Sequence, residues 1–308
     1  MTVRIGVHNH NPSLFFLSRL EHVLDDIGEP VELYFYADPA RTCDLLAEGA
    51  VDIGGTGSVP PLAGQAAGLP IVYAAVSAPR PGRAALLVAP DGPVRSVADL
   101  RDRPVALVAG SWQTHFLAAL LDRHGLSYQD IEPRPAGPEA REWLRTGEVA
   151  AWVAQGADLV EAEGGLRTLS GTLGVVADRS VFTTRRDFAE GRPEAVAAVA
   201  RGLRQADAWA RANLREAAHL TVEAVGGSVD SWEMALARLP WRLEPVTPVF
   251  VAEQQEAADV LYAGRVLADR VRVRAAVVPS LEPYVGAALA GDPVPAAAAR
   301  PPRLRSAV

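Results

Sequence analysis

Cys43 is the chain's one cysteine. That count excludes an internal disulfide and any cysteine-based zinc site. Cys43 lies in ARTCDLLAEG, on the face of an expected helix, and reads as a buried structural thiol. The six histidines show no HExxH or comparable ligand spacing, so neither a metal nor another cofactor is expected. No apolar stretch reaches the length of a membrane span. Positive charge is the scarcer sign: 30 basic against 37 acidic residues give a net charge of −7. That balance argues against nucleic acid as the main partner. It leaves room for a small anionic organic ligand, because a local site can be positive on an acidic protein. Neither a Ser-His-Asp order nor a phosphate-loop motif is present to support a hydrolase or an NTPase.

What is present is apolar. Of 308 residues, 49% are hydrophobic and 22% charged, which fits a globular chain with a sizeable core in one large or two ordinary domains. The chain opens MTVRIGVHNHN, straight into a strand, with no basic segment, apolar run and small-residue cleavage site ahead of it. As written, the expected location is the cytoplasm. A trimmed export signal would place the protein outside it.

Alternating strands and helices run to about Thr184. Strands are expected at Val3–Val7, Val31–Tyr36, Val51–Gly54, Ile71–Val76, Ala84–Ala89 and Val105–Val108. Further strands are expected at Val149–Val153, Thr168–Val176 and Val181–Thr184, with Pro133–Pro138 as a loop. Ser13 is the expected cap of a helix running to Asp26. Asp38-Pro39 opens a helix ending near Gly49, and Val59-Pro60-Pro61 opens another. From Pro193 the pattern stays helical, and after Asp292 the low-complexity sequence PVPAAAARPPRLRSAV reads as a disordered tail, residues 291–308. Strand–helix alternation of this kind predicts an α/β fold with parallel-rich sheets.

The informative stretch is Val105–Gly125, VALVAGSWQTHFLAALLDRHG. A buried strand ends at Ala109-Gly110, and Ser111 caps a helix carrying Phe116, Leu117, Leu120 and Leu121 on its apolar side. Such a turn aims free N–H groups and the positive end of a helix dipole at one point, which suits a small anion. The turn's own residues, Gly110, Ser111, Trp112, Gln113, Thr114 and His115, are candidates for ligand contact. Two other turns have the same form. One is Gly55-Thr56-Gly57-Ser58. The other is His8-Asn9-His10-Asn11, running to Ser13. Ligands in open α/β sheets bind at the carboxyl ends of strands, so three such turns predict one shared cleft. His8 and His10 have the spacing that points both rings to one side of an extended segment. Either is suited to donate to an anion or to act as acid or base near neutral pH. Arg80 and Arg83, in APRPGR, flank the expected hinge; a charge-assisted bond to a ligand oxyanion is one reading, and solvated surface arginines the default.

Four segments together resemble a known family. They are VDIGGTGSVPPLAGQAAGLPIVYAA (Val51–Ala75), SVADLRDRPVALVAGSWQTHFLAALLDRHGLSYQDI (Ser96–Ile131), RQADAWARANLREAAHL (Arg204–Leu220) and RLEPVTPVFVAEQQEAADVLY (Arg242–Tyr262). In this order the chain, from about Val3 to Val278, resembles the periplasmic substrate-binding proteins of ABC transporters, of the aliphatic-sulfonate, nitrate and taurine type. The resemblance implies a two-lobed type II periplasmic-binding-protein fold with the ligand cleft between the lobes. Lobe one would hold residues 1–83 plus 187–290 and lobe two residues 84–186, with hinges near Arg83–Ala84 and Thr184–Arg185. It also implies that the turns at Gly55–Ser58 and Gly110–Thr114 hold the ligand's acidic group and that His8–Asn11 lines the same cleft. Trp152, on the strand that many sulfonate binders continue into a Trp-Asp or similar pair, joins the site on this ground; here the strand runs on as Val153-Ala154-Gln155.

Two functions follow. One is a solute-binding protein for a sulfonate-like anion, partnered by an ABC permease if an export signal was trimmed. The alternative is a cytoplasmic enzyme on the same fold, lyase- or hydrolase-like, with His8 or His10 as acid/base on a small acidic or aromatic substrate. The fold's desulfinase carries a cysteine and an arginine at places matching about His10 and Gly54 here, so that chemistry is not supported. The Cys-rich motif of thiamine-pyrimidine synthases is also absent.

Overall fold

The computed structural model describes residues 2–290 and 303–305. The first stretch runs β1 (Val3–Val7), α1 (Pro12–Arg19), β2 (Leu20–Glu21), β3 (Val31–Phe35), α2 (Thr42–Ala47), β4 (Ile53–Thr56), α3 (Val59–Ala66) and β5 (Ile71–Ser77). Next come β6 (Ala84–Val88), β7 (Pro104–Leu107), α4 (Trp112–Asp122), β8 (Glu132–Pro135), α5 (Ala140–Thr146), β9 (Ala151–Gln155), α6 (Gly156–Ala162) and β10 (Arg167–Gly171). The chain returns through β11 (Val181–Arg185) and α7 (Arg186–Gly191) to α8 (Pro193–Ala212), α9 (Leu214–Val225) and α10 (Val229–Ala237). It closes with β12 (Leu243–Glu244), α11 (Pro248–Ala263), α12 (Glu282–Ala290) and β13 (Arg303–Leu304).

Two sheets result. The first has strand order β12-β5-β11-β4-β1-β3 and the second β10-β6-β9-β7-β8. In the second sheet alternation sorts the side chains: Leu86, Val88, Val105 and Leu107 pack under Phe116, Leu117, Leu120 and Leu121 of α4. Ala85, Leu87, Ala106 and Trp152 face Leu144 and Leu159 on the other side. In the first sheet Val3, Ile5 and Val7 of β1 pack with α1 and α8, in a core that includes Phe16, Leu17, Val199 and Leu203. Cys43 is buried beside Leu46 and Val51 and donates to the Pro60 carbonyl at 3.4 Å. Burial, with the nearby Asp44 carboxylate, pushes its thiol up to about 12, so it stays protonated, as a structural thiol does.

Strand direction explains where a cleft must lie. β1, β3 and β4 are parallel, and so are β7, β8 and β9, so within each group the carboxyl ends share one edge. β11 and β6 run against these groups: Val181 pairs with Thr56 at the end of β4, and Ala84 pairs with Gln155 at the end of β9. Both crossings between the sheets therefore join carboxyl edges. Those two edges face each other.

Several elements depart from the expected boundaries. Val181–Arg185, assigned by sequence to the second lobe, pairs between β4 and β5 in the first sheet. The return crossing is thus the loop at 172–180, ahead of the expected hinge at Thr184–Arg185. Glu132–Pro135, expected as loop, is an edge strand on β7. Its prolines are tolerated because an edge strand leaves half its N–H groups unpaired. α1 is capped by Asn11, whose Oδ1 accepts from Leu14 N at 3.2 Å, and not by Ser13. It ends at Arg19, where Leu20–Glu21 pairs antiparallel with Arg303–Leu304. The tail expected to be disordered is thus paired at those two positions; residues 291–302 and 306–308 lie outside the described residues.

With Asn11 acting as a helix cap, Asn11→Ala should lower stability by about 1 kcal/mol in urea denaturation. It should leave ligand affinity within about twofold. A tenfold loss of affinity would return Asn11 to the site.

Candidate functional site

The facing edges enclose two adjoining cavities. The smaller, about 90 Å³, is lined by His8, His10, Asp38–Ala40, Thr56, Gly57 and Pro60 from the first sheet's side. The second sheet's edge contributes Val108–Gln113 and Gln155, and the crossings contribute Arg80, Arg83 and Ser180. The larger, about 500 Å³, shares His10, Arg83, Val108, Gln113 and Gln155 with it. It extends between Asn9, Phe15, Trp152, Asp158, Val225 and Trp232.

The arginines read as surface residues are buried. Arg80 is 5% exposed. It donates from Nε to the Asp178 carbonyl, from Nη1 to Ser180 Oγ and from Nη2 to Asp178 Oδ1, at 2.8, 2.9 and 2.9 Å. Arg83 donates from Nε and Nη2 to the same carboxylate, at 2.7 and 2.9 Å. Its guanidinium lies 4.5 Å from the Trp112 ring centre. Burial opposes ionisation of Asp178, but the two guanidiniums outweigh it and hold the carboxyl below its usual range. Arg80 falls to about 10 through burial and the neighbouring Arg83, and remains charged at neutral pH. Next along the return crossing, Arg179 pairs with Glu244 and Glu253 at 2.6 and 2.7 Å, which fixes that loop to the first sheet's side.

The turn before α4 spends part of its polarity on itself. Ser111 Oγ accepts from Gln113 N, Gln113 Oε1 accepts from Val108 N, and Thr114 Oγ1 accepts from Gly110 N. The N–H groups of Ser111 and Trp112 have no side-chain partner among the described residues. They, with the Gln113 amide NH₂, are donors the turn has left. Trp112 Nε1 donates to Gln155 Oε1 at 3.2 Å. Across the cleft, a Cβ on Gly57 would lie 2.8 Å from Trp112 Cβ, so only glycine lets the two edges approach this closely.

His8 is 2% exposed and its Nε2 donates to the Gly55 carbonyl at 2.7 Å. Burial pulls its pKa down to about 4, and burial also lowers His10, so both rings are neutral at pH 7. Of the residues singled out by sequence, His8, Asn9, His10, Thr56, Gly57, Gly110, Ser111, Trp112, Gln113 and Trp152 line one or both cavities. Asn11, Gly55, Ser58, Thr114 and His115 do not. Gly55 sits inside β4 against Phe182. His115 faces the rear, where its Nδ1 is 3.1 Å from Ser58 Oγ across the two edges. It lines a separate cavity with Arg179 and Gln254. Burial lowers His115 to about 4 as well.

Gln155 and Ser180 were not singled out, and Arg80 and Arg83 were read by default as solvated. The available signal was their position, since each flanks a strand end at the joint between the sheets.

Two predictions follow from these groups. An unfolded histidine binds a proton below about pH 6.5. Folded His8 and His115 refuse it until about pH 4. The unfolded state therefore gains as pH falls, and each ring should cost on the order of 2 kcal/mol of stability at pH 5 relative to pH 7. Buried Asp207, raised to about 7 by burial, acts with the opposite sign, so the comparison is between variants. Denaturant melts of His8→Gln and His115→Gln should each show a shallower loss between pH 7 and 5 than the parent; parallel curves would count against neutral folded rings. Asp178→Asn leaves two buried guanidiniums with one counter-charge fewer, and should cost about 3–5 kcal/mol by the same assay.

Residues 26–217 match the model of the NMT1/THI5-like family. A protein of Escherichia coli strain K12, assigned as an aliphatic sulfonates-binding protein, is 31% identical over 244 residues, 78% of this chain and 76% of its own length. Among solved structures, the periplasmic aliphatic sulphonate binding protein SsuA from Escherichia coli superposes with a TM-score of 0.79 at 27% identity, over 90% of this chain and 92% of that one. The alkanesulfonate-binding protein SsuA from Xanthomonas axonopodis pv. citri, bound to MOPS, gives 0.77 at 29% identity, over 90% and 98%. The two sheets with a cleft between them are thus the two-lobed α/β architecture of those proteins, and the chain belongs to the NMT1/THI5-like family.

Proposed function

We propose that this chain is a solute-binding protein that captures a small organic anion, sulfonate-like, in the smaller cavity. One lobe consists of the residues before the Arg80–Arg83 crossing and those from Val181 onward; the other spans 84 to 172. The observation that carries the reading is the set of donors converging on about 90 Å³. Arg83 keeps Nη1 free of partners among the described residues while Asp178 fixes the rest of its guanidinium. The Ser111 and Trp112 amides lie at the positive end of α4, and Gly57 opens the approach to α3. A sulfonate offers three acceptors and one delocalised charge, and matches donors of this kind without needing a proton. The sulfonate-binding relatives support the same head group. On this reading the protein works outside the cytoplasmic membrane and delivers its ligand to an ABC permease, as binding proteins of import systems do.

The enzyme alternative would need a group in the cavity that exchanges protons at neutral pH. His8 and His10 are its candidates, and burial lowers both rings, His8 to about 4.

A thermal-shift series of sulfonates, sulfinates and carboxylates tests the proposal. A bound ligand at 100 times its Kd should add about 2.7 kcal/mol of stability. Arg83→Ala should weaken the best ligand at least tenfold, and Gly57→Ala should do so by holding Trp112 away. No stabilisation by any organic anion would sink the reading, and recovery of a converted product after incubation would replace it with the enzyme.

A further inference from the structure

We infer that the larger cavity is the seat of the ligand's tail, and that this chain is selective for a monoanionic sulfonate carrying an aromatic ring system rather than a short alkyl chain. The inference rests on the sulfonate reading above and names the rest of the molecule.

Size comes first. The smaller cavity is the lesser part of the cleft, about 90 Å³ against about 500 Å³, so a ligand seated there by its acidic head extends into the larger one. The exit runs past His10, Arg83, Val108, Gln113 and Gln155, which line both spaces, into about 500 Å³. That volume is within the range of whole small-molecule sites. It persists while the lobes touch on both flanks. Gly57 abuts Trp112 on one side; on the other, a Cβ on Gly156 would lie 3.3 Å from the Trp232 ring, and Arg238 pairs with Glu163 at 2.6 Å. The space is therefore a feature of the closed form. A methyl or ethyl tail would leave most of it to water.

Lining comes second. Phe15, Trp152 and Trp232 border the space, with Val225 and Leu236 beside them. Aromatic walls favour a planar apolar guest through stacked and edge-on contacts. Charge comes third. Asp158 and Glu161 also line the space. Burial, reinforced by Glu161, raises the Asp158 carboxyl, as expected of two like charges held together. A second anionic group on the tail would meet them.

Calorimetric titration with methanesulfonate, naphthalene-2-sulfonate and naphthalene-2,6-disulfonate tests this on the intact chain. Burial of apolar area is worth about fourfold in affinity per methylene-sized group. Naphthalene-2-sulfonate should therefore bind at least 100-fold more tightly than methanesulfonate, and the disulfonate at least tenfold more weakly than the monosulfonate. Trp232→Ala, which removes a wall, and Val225→Trp, which fills the space from a half-exposed position, should each cut the first ratio at least tenfold, with folding checked by circular dichroism. A first ratio near one, a disulfonate bound as tightly as the monosulfonate, or a ratio that neither folded variant changes would each overturn the inference while leaving the binding-protein reading standing. Failure of every sulfonate to bind would remove both.

Discussion

One buried carboxylate, Asp178, holds the molecule's two halves in register. It lies between guanidiniums supplied by the outgoing crossing, Arg80 and Arg83, and belongs itself to the returning one. A buried ion pair is a poor source of stability, because desolvation offsets most of the attraction, but it is strict about geometry. Here the geometry is the useful product. Asp178 orients Arg83 through two bonds, Trp112 stacks on the same guanidinium, and Gln155 holds the Trp112 ring. Within this cluster two positive charges face one negative. Asp207, which feels Arg80, has its carboxyl raised to about 7 by burial. Asp38 also lines the smaller cavity, so the positive charge an anion can use is the one held at the Arg80–Arg83–Asp178 joint.

The same constraint governs closure. The lobes meet at the cleft mouth through Gly57 and Trp112, and at the rear where Ala118 of α4 packs with Ala257, Ala258 and Leu261 of α11. The Ser58–His115 bond lies between these contacts. Small residues make these meetings close without making them strong. A ligand that bridges both lobes then supplies the differential affinity needed to favour the closed form.

Much of this was legible one strand at a time. Strand ends followed by Gly-polar turns located both cleft edges, because the backbone chemistry of a strand–helix turn is local. The errors came where partners are distant or where side chains serve their own turn. Arg80 and Arg83 sit in a Pro-Gly segment that reads as solvated loop; the carboxylate that buries them lies 98 and 95 residues further on. Asn11, Ser111 and Thr114 are short polar side chains beside helix starts, and they bond the adjacent backbone instead of facing a ligand. His115 was placed in the cleft from its position on the first turn of α4, but the helix carries it past Ser58 to the rear. The expected boundary at Thr184–Arg185 treated β11 as the end of a lobe, whereas its pairing with β4 and β5 makes it an inner strand of the first sheet.

The division of the cleft into a small cavity ringed by hydrogen-bond donors and a large one bordered by aromatic rings has a consequence for selectivity. A site built from fixed donors rejects a mismatched head severely, because each unpaired buried donor loses its full solvation. An apolar space discriminates by only about 1–3 kcal/mol per methylene. On the proposed reading the head is held by backbone amides and by an arginine locked to Asp178, parts that cannot be changed without disturbing the joint between the lobes. The tail space is bounded by side chains of α1, α6, α9 and α10; Trp232 also meets Gly156 across the lobes, whereas Val225 is about half exposed. Head chemistry is thus tied to the fold's most constrained feature, and tail preference to side chains outside the Asp178 cluster. Substitutions that retune the ligand should therefore collect at positions such as Val225 and spare the crossings.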